Sequence, residues 1–202
     1  MRRDRKLVRP GILQPCAVTG ERVLPSELER SAASGKRAHK RHFVSSSLSR
    51  ARILESEAIP SIAGACCAPR EAKVCAWSGQ LSHPDDLVVC NLTGLAVRAE
   101  YATGGRLQIL DGLLNQVQRP AERTDLWPTM EAKVCLALKV RHCQVEAAQL
   151  SPDGERLAVS VQVPAYWGLT TEHAGTLYSA RDGVFVGRVV RGKRKGGKWT
   201  RR

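Results

Sequence analysis

The residues of this chain best suited to chemistry are its seven cysteines. Three of them, Cys16, Cys75 and Cys90, recur at one place in a repeating pattern, and two more, Cys66 and Cys67, are adjacent. Thiolates hold a structural zinc when four ligands converge, normally as closely spaced cysteine pairs. Here the residue three places after each recurrent cysteine is a hydroxyl: Thr19, Ser78 and Thr93. A zinc site would have to join Cys75 and Cys90 from neighbouring copies with Cys66 or Cys67 and one further ligand, from Cys16, His39 or His42. The competing expectation is that the thiols are buried as small apolar residues. Structural zinc is the one candidate cofactor.

Catalytic patterns are thinner. Glu71-Ala72-Lys73 and Glu131-Ala132-Lys133 each match the Glu-x-Lys half of a metal-dependent nuclease signature, which also needs a preceding acid on a neighbouring strand. His142 and Cys143 are adjacent, so on a strand they face opposite ways and make a poor base and nucleophile. There is no Gly-x-x-x-x-Gly-Lys-Ser/Thr loop for nucleotide hydrolysis. The expectation is a protein that is not an enzyme.

The elements that position the cysteines are copies of one unit of about fifteen residues. Its first column reads Cys16, Ser31, Ser46, Ser61, Cys75 and Cys90, with one step shorter by a residue. Three residues on come Thr19, Ser34, Ser49, Gly64, Ser78 and Thr93, and glycine follows in CAVTG, SAASG, CAWSG and CNLTG. Arg50 and Ala65 stand where the third and fourth copies should have that glycine. A side chain there resists the left-handed region, so these copies are expected to turn differently or to continue the strand. The unit Cys/Ser-x-x-Thr/Ser-Gly resembles a degenerate zinc-ribbon knuckle. That resemblance implies stacked short β-hairpins over residues 16–104, with hydroxyls bonding the backbone amides that a thiolate would accept.

Charge points to the partner. The chain of 202 residues carries a formal charge of +13, with a pI near 9.9, which favours an anionic partner, nucleic acid above all. Only 4% of residues are aromatic, which argues against rows of stacked bases. Residues 1–15 form a basic arm with Arg2, Arg3, Arg5, Lys6 and Arg9. The second copy adds Lys36, Arg37, Lys40 and Arg41, with no acid between Ser31 and Ala51, and is expected to present a basic rung to phosphates. Residues 193–202 close the chain with a glycine-containing basic run. Arg191, Lys193, Arg194, Lys195, Lys198, Arg201 and Arg202 are expected to engage polyanions from a disordered tail, with Trp199 free to stack on a base.

Between repeat and tail, residues 106–192 read as a small α+β domain. Leu107, Leu110, Leu113, Leu114 and Val117 form one stripe of a helix over 106–118. A linker-like RPAERTDLWP follows, and EAKVCLALKV leans to helix. CQVEAAQL and ERLAVSVQV flank Ser151-Pro152-Asp153-Gly154 as a hairpin, and GTLYSA and VFVGRVV flank Arg181-Asp182-Gly183 as a second. Between them, PAYWGLTTEHAG is expected to pack as a lid or corner, and His83 and His173 are expected at the surface or in packing. The fold class is therefore α+β, mostly β. The segments VEAAQLSPDGERLAV and GTLYSARDGVFVGRVVRGKR, following the knuckles, resemble parts of bacterial proteins associated with Swi/Snf-type helicases. The helicase motor motifs are absent, so the resemblance implies an accessory module beside a larger DNA- or RNA-processing protein. No apolar run spans a bilayer, no leader-like segment opens the chain, and a reducing cytoplasm suits the odd thiol count. The expected function is non-enzymatic nucleic-acid binding, with a protein-interaction scaffold as the alternative and a metal-dependent nuclease as the remote one.

Overall fold

The computed structural model describes residues 12–165 and 168–202. The cations of the N-terminal arm, Arg2, Arg3, Arg5, Lys6 and Arg9, lie outside the described residues, as do Tyr166 and Trp167. The fold is mostly β, with short antiparallel hairpins and a small helical region. It divides into two compact units: residues up to Lys73 with Leu81–Asp85, and Val74–Gln80 with Asp86–Arg202. The division falls inside the repeat rather than at Gly104–Gly105, since the last two knuckle turns pack with the C-terminal domain.

Five of the six copies are closed by the same backbone pattern. The column residue donates its N–H to the carbonyl five places on, as from Cys16 to Glu21 at 2.8 Å and from Ser31 to Lys36 at 2.8 Å. The glycine donates back to the column carbonyl, as from Gly35 to Ser31 at 2.9 Å. Arg50 corrects one expectation: it enters the left-handed region at φ 64° and donates to Ser46 O at 3.0 Å, so the third copy keeps the turn despite its side chain. The fourth copy shortens instead. Ser61 N–H reaches Ala65, four places on, and Gly64 takes the left-handed angle at φ 84°.

Within each unit, copies are joined by a further bond from the residue after the column to a backbone carbonyl of the next copy. In the first unit these run from Ala17 to Arg37 O, Ala32 to Arg52 O, and Ser47 to Cys66 O, at 2.8–2.9 Å. In the second they run from Ala76 to Ala96 O and Asn91 to Gly105 O. A single copy buries too little to stand alone, and stacking supplies the core. The first unit gathers Cys16, Leu28, Ala38, Phe43 and Leu54.

The second unit adds helices α1 (Gln108–Leu114) and α2 (Trp127–Leu138), and a five-stranded antiparallel meander. Its strands are β1 (Gln144–Leu150), β2 (Arg156–Ala165), β3 (Thr170–Ser179), β4 (Val184–Lys195) and β5 (Lys198–Arg201). Helix α1 is shorter than its stripe suggests, because Arg106–Leu107 pairs with Ala102–Thr103 as the last hairpin. At its other end Asn115 donates back to Asp111 O and Gln116 turns to φ 58°. Leu110, Leu113 and Leu114 pack with Ala147, Ala158, Leu177, Val190 and Trp199 on one side of the sheet. Met130 and Val134 of α2 pack with Val145, Val159, Val161 and Tyr178 on the other. Both expected hairpins are present, as β1–β2 and β3–β4. PAYWGLTTEHAG forms no lid where it is described: Pro164 and Ala165 end β2, and Thr170 to Gly175 lie in β3.

The tail is not disordered. Residues 193–202 complete the sheet: β5 pairs with the end of β4, placing Lys193 opposite Thr200, Arg194 opposite Trp199 and Lys195 opposite Lys198. Gly196 and Gly197, at φ 58° and 77°, form the two-residue turn that only residues tolerant of positive φ make readily. Among the described residues, no helix is long and apolar enough to cross a membrane.

Candidate nucleic-acid interface

Alternation along β4 and β5 sorts the terminal cations onto two faces. Arg194 and Trp199 point inward, toward α1. The Arg194 guanidinium caps that helix through Leu113 O, at 3.2 Å, and Leu114 O, and forms an ion pair with Glu146 at 3.2 Å. Glu146 also meets His173 Nδ1 at 2.9 Å and accepts from Ser160 Oγ at 3.2 Å. Burial alone pushes the Glu146 carboxyl up, but hydrogen bonds from His173 and Arg194 outweigh it and hold it below the usual carboxylate range. Trp199 is 2% exposed. Its N–H groups are both used, the backbone N–H on Asn115 Oδ1 at 2.6 Å and the indole Nε1 on His173 O at 3.1 Å. Arg194 and Trp199 are therefore removed from the candidate contact set: they build the sheet.

Arg191, Lys193, Lys195, Lys198 and Arg202 share the other face by strand parity. Beneath them Glu172 is fully buried. It accepts from Arg191 Nε, and from Arg202 Nη1 at 3.3 Å, with Lys193 Nζ 4.0 Å away. Three of the five cations thus meet one carboxylate, which leaves a locally positive surface on the hairpin. Lys193, Lys195, Lys198 and Arg202 are exposed. Arg201, also exposed, lies on the opposite face and reaches Asn91 O at 3.5 Å.

In the first unit Lys36, Arg37, Lys40 and Arg41 are all exposed, Lys36 just before the strand Arg37–His39 and the others on that strand and the short turn Lys40–His42. The expectation of a rung without acids needs correction. Arg41 pairs with Glu21 at 3.1 Å, and Arg52 of the third copy pairs with Glu29 at 3.2 Å, both acids coming from the first copy. Lys36, Arg37 and Lys40 remain the stronger phosphate candidates, although Arg37 also donates to Gln14 Oε1 at 2.8 Å.

Among the described residues no group of three or more His, Cys, Asp or Glu side chains gathers as a metal site would. Cys66 and Cys67 alternate on a strand, one half-buried and the other fully buried. Cys16, Cys75 and Cys90 each lie inside their own turn. The turns nevertheless favour a thiolate. Burial pushes the Cys16 thiol up, but the N–H of His39 and the hydroxyl and N–H of Thr19 outweigh it and bring it down to about 7. Cys75 and Cys90 are lowered in the same way through Ser78 and Thr93.

The serine copies replace sulfur chemistry with a carboxylate. Ser31 Oγ donates to Glu57, and Ser46 Oγ donates to Glu71 Oε2 at 2.6 Å. The acids lie 26 and 25 residues downstream, too far for the knuckle pattern to reveal. Hydrogen bonds from Ser46 and Ser49, then from Ala68 N–H, hold the Glu71 carboxyl down to about 2. Because its folded pKa is depressed, its stabilisation is present above the ordinary carboxylate value of about 4.3 and is lost as pH falls toward 2. Glu71→Gln is expected to lower the melting temperature by several degrees at pH 7. It should also flatten the acid limb between pH 4.5 and 2, measured by circular dichroism melts across pH.

The remaining motif residues have internal partners. Glu131 Oε1 accepts from Val145 N–H at 2.8 Å, and the Lys133 ammonium lies 5.7 Å from the Tyr178 ring centre. His83 is fully buried against Ser47 Oγ at 3.0 Å, so neither it nor His173 is a surface residue. At the third knuckle position, Val18 and Leu48 are each 47% exposed, whereas Trp77 and Leu92 are buried with Leu107 and Leu110. No family model, curated protein or solved structure matches the chain.

Proposed function

We propose that the chain is a non-enzymatic nucleic-acid-binding accessory protein, acting beside a larger DNA- or RNA-processing protein. The observation that carries this is the β4–β5 hairpin, where Arg191, Lys193, Lys195, Lys198 and Arg202 share a face with one buried carboxylate. Cations fixed on a rigid ribbon lose little freedom when they meet phosphates, and each neutralised phosphate releases condensed counterions. The second-copy residues Lys36, Arg37 and Lys40 supply a further patch of the same sign. These contacts reach the backbone rather than base edges, so binding is sequence-tolerant. The test is binding of the full chain to duplex DNA, single-stranded DNA and RNA across a salt series. A steep decline of affinity with salt is expected, and absence of binding at moderate salt would overturn the proposal.

The alternative role is a protein-interaction scaffold. Its specific support is the exposed apolar residue at the tips of the first and third knuckles, Val18 and Leu48, a position that α1 covers in the last two copies. That role predicts weak salt dependence and no preference for polyanions.

A further inference from the structure

We propose that Cys135 and Cys143 form a redox-active dithiol that low-molecular-weight disulfides convert into an intramolecular disulfide. Cys135 lies in the last turn of α2, and Cys143 immediately precedes β1. Their sulfurs are 2.7 Å apart, so they need close by only about 0.7 Å to reach the bonded separation of about 2.05 Å. The backbone on both sides is already held. Val140 N–H donates to Cys135 O at 3.0 Å, Lys139 ends the helix in the left-handed region, and Val145 N–H donates to Glu131 Oε1 at 2.8 Å. The bond would therefore join side chains that stand on hydrogen-bonded backbone at both ends.

Access separates this pair from the knuckle thiols. Cys67, Cys75 and Cys90 are fully buried and Cys16 is 2% exposed, while Cys135 and Cys143 are both only half-buried. Cys143 lines an open cleft of about 450 Å³ with Glu131, His142 and Gln162, room enough for a small disulfide to approach. Burial first, and then the neighbouring Cys135, push the Cys143 thiol up to about 12.

The exchange balances. The thiolate of one cysteine of the pair attacks one sulfur of a disulfide R–S–S–R, forming a mixed disulfide and releasing one thiol. The other cysteine then loses its proton and attacks the protein sulfur of that mixed disulfide, expelling the second thiol. The two protein thiols together lose two electrons and two protons, and R–S–S–R is reduced to two R–SH. The product ties the end of α2 to the entry of the sheet at the rim of the cleft.

Glutathione disulfide is the probe. The reduced full chain is incubated with it, remaining thiols are alkylated, and peptides are mapped by mass spectrometry. The expected result is a Cys135–Cys143 crosslink about 2 Da below the sum of the reduced peptides, with no glutathione retained on either residue. Cys66, half-buried in the other unit and bonded to Ser45 O at 3.5 Å, is the single-thiol comparison and can only retain glutathione or be alkylated. In Cys143→Ser and in Cys135→Ser the remaining cysteine has no partner to expel glutathione, so it should carry a stable glutathione adduct or be alkylated, and the crosslink should be absent. Wild-type protein in which both residues stay alkylatable, or each carries its own glutathione, overturns the proposal. The wild-type map decides the matter even where a variant fails to fold.

Discussion

Replacing Trp199 by alanine is expected to destabilise the C-terminal unit by about 3–5 kcal/mol, the usual range for deleting a buried aromatic side chain. The residue lies three places from the end of a basic, glycine-containing run, where composition alone forecasts no effect. In the structure it is 2% exposed, packs with Leu110, Leu113 and Leu114, and donates its indole N–H to His173 O. The Arg106 guanidinium also lies 5.6 Å from its ring centre. Denaturant unfolding followed by far-ultraviolet circular dichroism checks this: the midpoint should fall well below that of the wild type. A shift worth only a few tenths of a kcal/mol would mean that β5 is not docked. A practical consequence concerns truncation. Deleting residues 193–202 removes Trp199 and the Arg194 cap on α1 together with the lysines, so lost binding would not separate charge from folding.

Side-chain neutralisation makes that separation. Lys193, Lys195 and Lys198 are exposed, on the face away from Trp199. Arg191 and Arg202 still satisfy Glu172 when Lys193 is changed. Lys193→Gln, Lys195→Gln and Lys198→Gln combined should leave the melting temperature within a few degrees of the wild type while weakening nucleic-acid binding by about two orders of magnitude near physiological salt. That magnitude follows from a loss of about one phosphate contact per lysine. The corresponding change at Lys36, Arg37 and Lys40 measures the share of the first unit. Fluorescence anisotropy with a labelled duplex reads both.

Much of the architecture was legible because turns and repeats are written locally. Ser151-Pro152-Asp153-Gly154 and Arg181-Asp182-Gly183 each mark a hairpin through residues whose own backbone preferences make the turn. The knuckle column is visible because every copy needs a small buried group followed by a left-handed residue. Arg50 escaped that logic, since its N–H bond to Ser46 O and the closing bond from Ser46 N–H to Ala51 O hold the turn in a conformation that a residue with a side chain resists when isolated. The terminal strands escaped for a different reason. Lys195-Gly196-Gly197-Lys198 carries a Gly-Gly hairpin signal, but charge density pointed to disorder, and nothing local shows that Glu172 of the neighbouring strand β3 neutralises Arg191, or that Glu146 of the distant strand β1 neutralises Arg194.

The candidate site was legible only as composition. Sequence alone brings Lys193, Lys195 and Lys198 forward, yet it cannot separate them from Arg194 and Trp199, whose inward placement follows from register. Nor does it show that Arg41 meets Glu21, or that Ser46 meets Glu71, because stacking brings together residues 20 and 25 places apart. Such long-range pairs are set by how copies stack, and no single copy encodes them.

The most direct test of the central claim is the salt dependence of duplex binding, measured in parallel for the wild type and the Lys193, Lys195 and Lys198 triple glutamine variant. If the hairpin face neutralises phosphates, the slope of log affinity against log salt should be steep for the wild type and smaller by about three for the variant. Equal slopes for two equally folded proteins would contradict the assignment of nucleic-acid contact to this face.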